Sequence, residues 1–207
     1  MVQTTQKLGQ QHITPWFTKP GAGHAAQFYA DQRSLGMCAL EYVYRGLVHR
    51  EVCIVIATPE KLIALQKGLR RLGVDISTAL ADGRYITYDA EELLSGFMND
   101  RELDGERFNA AMTMLLRHVA GGRYSVRVFG EMAALLRQQR NSVALLQLEH
   151  ALESLQSNYR FSLYCAYPIS DERSEYAETS WAVVSRLRKA ARRCGAACVL
   201  RRTVPLR

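Results

Sequence analysis

The stretch Val126-Arg127-Val128-Phe129-Gly130-Glu131-Met132 decides the fold. It is an apolar run, interrupted by one arginine, that ends at a glycine and a glutamate just before a helical pattern begins. Such a run predicts a strand, and in an open parallel sheet ligands collect outside the carboxyl ends of the strands. Glu131 is therefore predicted to contact a ligand.

The pattern around this stretch is that of an α/β domain. From His24 onward, short apolar runs alternate with amphipathic segments, which indicates βαβ units and a mainly parallel sheet. We predict a three-layer fold in which helices cover both faces of a central sheet of five to six strands. The predicted strands are His24–Tyr29, Val52–Ala57, Arg84–Tyr88, Ser125–Gly130 and Phe161–Ala166, with Ala197–Leu200 as a weaker sixth.

Apolar residues at helical spacing predict the helices between the strands. Thr58 is suited to cap the first helix and Pro59 to its first turn, and the helix should end near Gly73. A later helix is predicted over Ser170–Ala191, with acids early and bases late. The apolar stripes favour core faces over cofactor sites; they are Leu62, Leu65, Leu69 and Leu72; Phe108, Met112, Leu115 and Val119; and Leu145, Leu148, Leu152 and Leu155.

Composition limits the class of protein. A chain of 207 residues, 48% hydrophobic, suits one domain, and no apolar run is long enough for a membrane span. The five cysteines are odd in number and two of them lie in strongly apolar runs, which favours reduced thiols and hence the cytoplasm. We predict a flexible lead over 1–21, a domain over 22–192 and a basic tail over 193–207. The net charge of +7 comes from Arg186–Arg207, which has eight bases and no acid.

The loop after the first predicted strand argues against a nucleotide enzyme. Phosphate-binding loops use glycines and a lysine. The segment Phe28–Leu35 has neither, and Asp31 would repel a phosphate. We therefore expect no catalytic residue, no metal and no cofactor, although Glu131 and Glu149 together could in principle perform acid/base chemistry.

Several residues are candidate ligand contacts, each with a structural alternative. Arg127 lies in an apolar run and needs a carboxylate partner, for which Glu131 and Glu149 are the predicted choices. A histidine at a strand entry and aromatic residues at strand ends serve packing as readily as binding. The candidate ligand-binding residues are His24, Phe28, Tyr29, Thr58, Arg127, Glu131, Glu149 and Tyr167.

These motifs, taken in order, resemble a known family. The motifs are His24-x-x-x-Phe28-Tyr29, Gly46-Leu47 before the Cys53 strand, the Val126–Met132 stretch, Leu148-Glu149, and Cys165-Ala166-Tyr167-Pro168. Over about residues 22–190 the chain resembles the MEDS family, the methanogen/methylotroph sensory domain of DcmR-type regulators. One departure is Arg50-Glu51 where the family often has Gly-Glu, which we expect to alter only a turn.

The resemblance implies a RecA/KaiC-like core without its phosphate loop, used as a signal-input module for hydrocarbon-derived or related small molecules. It also implies action on a histidine kinase or transcriptional regulator in trans, or through a homo-oligomer. In this first hypothesis the ligand binds near Tyr29, Thr58, Glu131 and Tyr167, and a loop at Asp31–Ser34 or Gly96–Gly105 becomes ordered.

Two alternatives stay open at the level of sequence. One is a degenerate nucleotide-binding protein or ATPase relative that uses Glu131 as a metal-associated carboxylate. The other is an adaptor that binds nucleic acid or an acidic partner through Arg186–Arg207, with steep salt dependence. No aromatic residue is interleaved with these bases, which argues against a base-stacking platform.

Overall fold

The structure is a computed structural model that describes residues 23–29, 31–120, 125–168 and 201–202. The predicted lead, the helix over Ser170–Ala191 and the strand at Ala197–Leu200 lie outside the described residues. So do the side chain of Phe28 and nearly all of the predicted basic tail.

A six-stranded parallel sheet forms the centre of the described chain. Its order is β3-β2-β6-β7-β1-β8, and each neighbouring pair is parallel. The five predicted strands are confirmed to within two residues at each end. The strands are β1 (Gly23–Tyr29), β2 (Val52–Ala57), β3 (Tyr85–Asp89), β6 (Val126–Gly130), β7 (Ser162–Pro168) and the short β8 (Arg201–Arg202).

Helices occupy the connections between these strands. Several N-termini have a cap residue that accepts hydrogen bonds from the first-turn amides, such as Asp75 before α3 and Asn141 before α7. Thr58 occupies the cap position of α2, as predicted, but its side chain makes no such bond. The described helices are α1 (Gln32–Val48), α2 (Pro59–Arg71), α3 (Ile76–Ala81), α4 (Ala90–Ser95), α5 (Gly105–Ala120), α6 (Met132–Gln138) and α7 (Ser142–Asn158).

The sheet separates two apolar layers, because successive strand residues point to opposite faces. Helices α1, α2 and α3 pack on the face that carries Cys53, Val55 and Phe129. Helices α4 to α7 pack on the face that carries Ile54 and Val128. Strand β2 is buried along its whole length, as the unalternating sequence predicts. The predicted α/β architecture with helices on both faces is confirmed.

The apolar stripes pack against the core except at Leu72, and Leu62 and Leu115 are only half-buried. Leu145, Leu148, Leu152 and Leu155 are all buried. On α5 the buried position is Leu116, with Leu115 half-buried. Leu72 is the C-cap residue of α2, and it is 46% exposed. Leu72 therefore does not belong to the core.

Two segments expected to be loops have regular structure. Asp31 and Ser34 belong to the cap and first turn of α1. The Gly96–Gly105 segment contains a two-stranded antiparallel hairpin, β4 (Met98–Asn99) and β5 (Glu102–Leu103). The expectation that these segments are loops is wrong, because local hydrogen bonds form a helix cap and a hairpin there. That they become ordered on ligand binding stays a prediction.

The family departure at residue 50 lies in a turn, as expected. Arg50 has φ of 59°, a left-handed conformation that glycine adopts without steric cost. The following residue, Glu51, enters the buried interior beside β2. Among the helices that the structure describes, none has both the length and the apolar character needed to cross a membrane.

Candidate functional site

A cavity of about 720 Å³ opens at the carboxyl ends of the strands, between α1, α2 and α6. Its size is within the range of small-molecule sites. Tyr29 at the end of β1, Thr58 after β2 and Glu131 after β6 all line it, as predicted from the strand ends. The apolar part of the wall comes from the three helices and consists of Met37, Leu40, Ala64, Leu65, Ala134 and Leu135.

A lysine joins three elements at the polar end of this cavity. Lys61 Nζ donates to Glu131 Oε1 in a short ion pair and to Gln32 Oε1 at 3.1 Å. The backbone amide of Thr58 donates to Glu131 Oε2 at 3.2 Å. Glu131 follows β6, Lys61 belongs to α2 and Gln32 begins α1, so the contacts of Lys61 connect these three elements. We call the three side chains the Lys61 latch.

Tyr29 supplies a hydroxyl beside the latch. Its side chain is buried, and its oxygen accepts a hydrogen bond from Gln32 Nε2 at 3.4 Å. Burial, and then the negative charge of Glu131, raise the pKa of Tyr29 above its ordinary value of 10.0. The phenol is therefore protonated at neutral pH, and its hydrogen can be donated into the cavity.

The cavity carries an excess of positive charge. Its basic lining residues are Arg33, Lys61, Lys67 and Arg71, and its acidic ones are Glu60 and Glu131. Glu131 is already engaged, because each of its oxygens accepts one hydrogen bond from Lys61 or Thr58. The polar end thus presents hydrogen-bond donors more than acceptors.

The first amides of α1 are capped by a side chain. The Asp31 carboxylate accepts hydrogen bonds from the amides of Arg33 at 3.0 Å and Ser34 at 2.9 Å. These bonds, with that from the Ser34 hydroxyl, lower the pKa of Asp31. In a phosphate-binding site such amides face the anion. Here the Asp31 carboxylate already accepts from two of them.

Arg127 is buried, as predicted, but its partner was predicted wrongly. Its guanidinium forms a short ion pair with Glu51 and lies 5.1 Å from the centre of the Tyr42 ring. Arg127 and Glu131 point to the same face of the sheet, but they lie at opposite ends of β6. Glu131 is bound there by Lys61 and does not reach Arg127. Glu149 belongs to the opposite face of the sheet. Arg127 is therefore placed in the packed interior beneath α1 and does not line the cavity.

Glu149 and Tyr167 form a separate buried pair. The Tyr167 hydroxyl donates to Glu149 Oε1 in a short hydrogen bond, and neither residue lines the cavity. Strand register explains the separation: Gly130 pairs with Cys165, so Glu131 shares a face with Ala166 and not with Tyr167. Burial raises the pKa of Glu149 to about 7 despite the Tyr167 hydrogen bond. The predicted Glu131 and Glu149 acid/base pair is not assembled.

His24 lies at the start of β1, the end of the strand remote from the cavity. It is buried, and its Nε2 has no hydrogen-bond partner among the described residues. Burial lowers the pKa of His24 to about 4, so the ring is neutral at physiological pH. The structure thus brings together Tyr29, Thr58 and Glu131 of the predicted set and separates them from His24, Arg127, Glu149 and Tyr167.

Comparison with protein families gives a match over residues 23–191 to the MEDS domain, the methanogen/methylotroph, DcmR sensory domain. The chain belongs to this family. Comparison with curated proteins found no match. Among solved structures, the chain is similar to a KaiC-like protein of the archaeon Pyrococcus horikoshii OT3. The identity is 10%, the match covers 77% of this chain and 67% of that chain, and the TM-score is 0.49.

Two residues of this MEDS domain escaped the sequence analysis. Lys61 stands in the first turn of α2, where the helix dipole disfavours a cation, and that unfavourable position was the available signal. Glu51 directly precedes a wholly apolar strand, and a carboxylate at such a place needs a buried partner. Neither signal names the partner, because the partners are 70 and 76 residues away in sequence.

Proposed function

We propose that this chain is a non-catalytic sensory module that binds a small organic ligand in the cavity between α1, α2 and α6, and that ligand binding changes how it engages a regulatory partner. The proposal is supported by its membership of a family of sensory domains. The observation that carries it is the Lys61 latch at the polar end of a cavity whose walls are largely apolar.

The Lys61 latch links ligand binding to the positions of the helices around the cavity. A ligand shifts a conformational equilibrium only if it binds the two states with different affinities. Lys61 is 14% exposed and Glu131 is 5% exposed, so any ligand that competes for either group alters contacts joining α1, α2 and the end of β6. We therefore expect α1 and α2 to respond to the ligand, and a kinase or transcriptional regulator in trans to read that response.

The nucleotide alternative is weaker on a specific ground. The first-turn amides of α1 are capped by Asp31, and both oxygens of Glu131 are hydrogen-bonded within the domain. A phosphate chain would have to displace the first, and a metal ion the second. We propose that neither exchange is part of its function.

The test uses Gly36, which lines the cavity on α1. A Cβ added there meets no atom within 4 Å, and residue 36 lines the cavity, so we expect Gly36→Phe to place its ring in the cavity. Gly36→Ala is the matched control, because it also replaces glycine by a better helix former but does not fill the space. The full chain would be screened by calorimetry against six- to twelve-carbon alcohols, ketones, carboxylates and amines, and against ATP with magnesium.

We expect at least one apolar compound to bind the native chain and Gly36→Ala, and to lose at least tenfold in affinity in Gly36→Phe. Hydrogen exchange should then change in Gln32–Val48 and Pro59–Arg71 in the presence of that compound. If Gly36→Phe bound every compound as well as the control, the cavity would not be the ligand site. Tight binding of ATP with magnesium that is lost in Glu131→Gln would favour the nucleotide alternative.

A further inference from the structure

We infer that the cavity selects an organic anion, a carboxylate on an apolar chain or ring, and that Lys61 and Tyr29 receive its carboxylate. This inference rests on the proposed function, since it names the class of ligand for that same cavity. It depends on which hydrogen-bonding groups remain available once the contacts inside the domain are made.

The available groups at the polar end are donors. Lys61 has three ammonium hydrogens, of which one goes to Glu131 and one to Gln32, so one remains. The Tyr29 oxygen accepts from Gln32, which leaves its own hydrogen to donate. Each Glu131 oxygen already accepts one hydrogen bond, from Lys61 or from the Thr58 amide, and the charge of Lys61 offsets that of Glu131. A ligand head group placed here meets two donors, from both of which a carboxylate can accept.

The charges at the rim favour the same class. Arg33, Lys67 and Arg71 are exposed around the opening. The side chains of Lys67 and Arg71 have no hydrogen bond or ion pair with another described residue, whereas the charge of Arg33 interacts with the Asp31 carboxylate. Glu60 is the exposed acid that opposes them. Such an imbalance attracts anions and repels amines over distances within the screening length of the solution.

The apolar walls of the cavity favour an apolar body for the part of the ligand beyond its head group. Leu65, Ala134 and Leu135 are buried, and Met37 is 50% exposed although it is a large apolar side chain. These residues line one cavity with the latch at its polar end. An apolar body against the walls would cover Met37, and its head group would lie at Lys61. A simple inorganic anion would leave these walls uncovered.

The experiment compares three probes with the same ten-carbon chain: decanoate, 1-decanol and decylamine. Binding to the full chain would be measured by calorimetry at low and at physiological ionic strength. We expect decanoate to bind at least tenfold more tightly than 1-decanol, with decylamine weakest. The preference for decanoate should decrease as salt is added, because part of it comes from the exposed rim.

Three variants locate the preference. Lys61→Met should remove most of the preference for decanoate over 1-decanol while 1-decanol still binds. Lys67→Gln with Arg71→Gln should weaken decanoate only modestly and reduce its salt dependence. Arg107→Gln is the matched control, since Arg107 is an exposed base on α5, on the opposite side of the sheet, and it should change nothing.

The outcomes separate this inference from the proposed function. Equal binding of decanoate and 1-decanol, or tightest binding of decylamine, would overturn the anion inference; if Gly36→Phe still abolished that binding, the cavity would remain the ligand site. A preference for decanoate that persisted in Lys61→Met would also overturn it. If none of the three probes bound, the anion inference would fall, and the wider compound panel would decide the proposed function separately.

Discussion

Two ion pairs, Arg127–Glu51 and Lys61–Glu131, each contact helix α1, and they differ in what surrounds them. Arg127 and Glu51 are 2% and 4% exposed and are enclosed by Tyr42, Gly46 and Cys53. Lys61 and Glu131 lie at the open carboxyl edge of the sheet, beside a cavity that water and small molecules can enter. The first pair is enclosed by packed side chains, whereas we propose that the second exchanges partners when a ligand binds. In this proposal, similar chemistry serves different roles at the two ends of one sheet.

The largest effect should come from breaking the enclosed pair. Arg127→Met leaves Glu51 buried without its cation, and we expect a loss of about 3–5 kcal/mol in the free energy of unfolding. Denaturant unfolding measures it. The double variant Arg127→Met with Glu51→Leu should recover most of the loss, because no charge is then stranded. A neutral single variant would mean that this pair is hydrated like the one at the cavity.

Glu149 shows the effect of enclosing a carboxylate that has no cation beside it among the described residues. Its pKa is raised from 4.5 to about 7, so its native form binds protons that the unfolded chain releases. The stability contributed by protonated Glu149 is present below pH 4.5 and is lost as the pH rises to about 7. We expect Glu149→Gln to be more stable than the native chain by roughly 3 kcal/mol at pH 8 and similar to it near pH 4.5.

The measurement for Glu149 is the unfolding free energy of both proteins over this pH range. Glutamine keeps a carbonyl oxygen for the Tyr167 hydroxyl, so the hydrogen bond is retained. His24, whose lowered pKa gives the opposite dependence, is present in both proteins and cancels in the difference. Parallel pH profiles would show that Glu149 is ionised in the folded chain and reached by water.

Two glycines of α1 sharpen the contrast between its enclosed and open ends. A Cβ on Gly46 would lie 2.4 Å from Cys53 Sγ and 2.9 Å from Arg127 Cδ, whereas one on Gly36 meets nothing. We expect Gly46→Ala to destabilise the chain by roughly 2 kcal/mol through overpacking. Gly36→Ala should stabilise it by up to about 1 kcal/mol, since alanine is the better helix former. Thermal unfolding of both variants would reveal the difference, and equal shifts would contradict it.

The smallest effect is expected at the cavity. Lys61→Met removes the cation from Glu131, but the Thr58 amide remains and solvent in the cavity can hydrate the carboxylate. We expect a loss of about 1 kcal/mol in unfolding free energy, close to that of an exposed pair. Chemical unfolding beside Arg127→Met gives a direct comparison. A loss as large as that of Arg127→Met would mean that the cavity is closed to water.

The sequence by itself determined the layers of the fold and the edge at which the cavity lies. The features that specify them are the uninterrupted apolar run of β2, the apolar stripes of the helices and Glu131 after β6. They do so because the spacing of apolar residues and the end of a strand are local properties of a sequence. The same reasoning found Tyr29, Thr58 and Glu131, which follow from strand ends alone. It also identified Arg127 and Glu149 as buried groups that need partners.

Only the tertiary structure decided which partners those groups have. Glu51 reaches Arg127 across 76 residues and Lys61 reaches Glu131 across 70, through the order in which the strands lie side by side. Strand register placed Tyr167 on the face opposite Glu131, a difference of one residue that local patterns do not encode. Charged side chains pair with those that lie near them in space, and strand order and register of the whole sheet determine which ones are near.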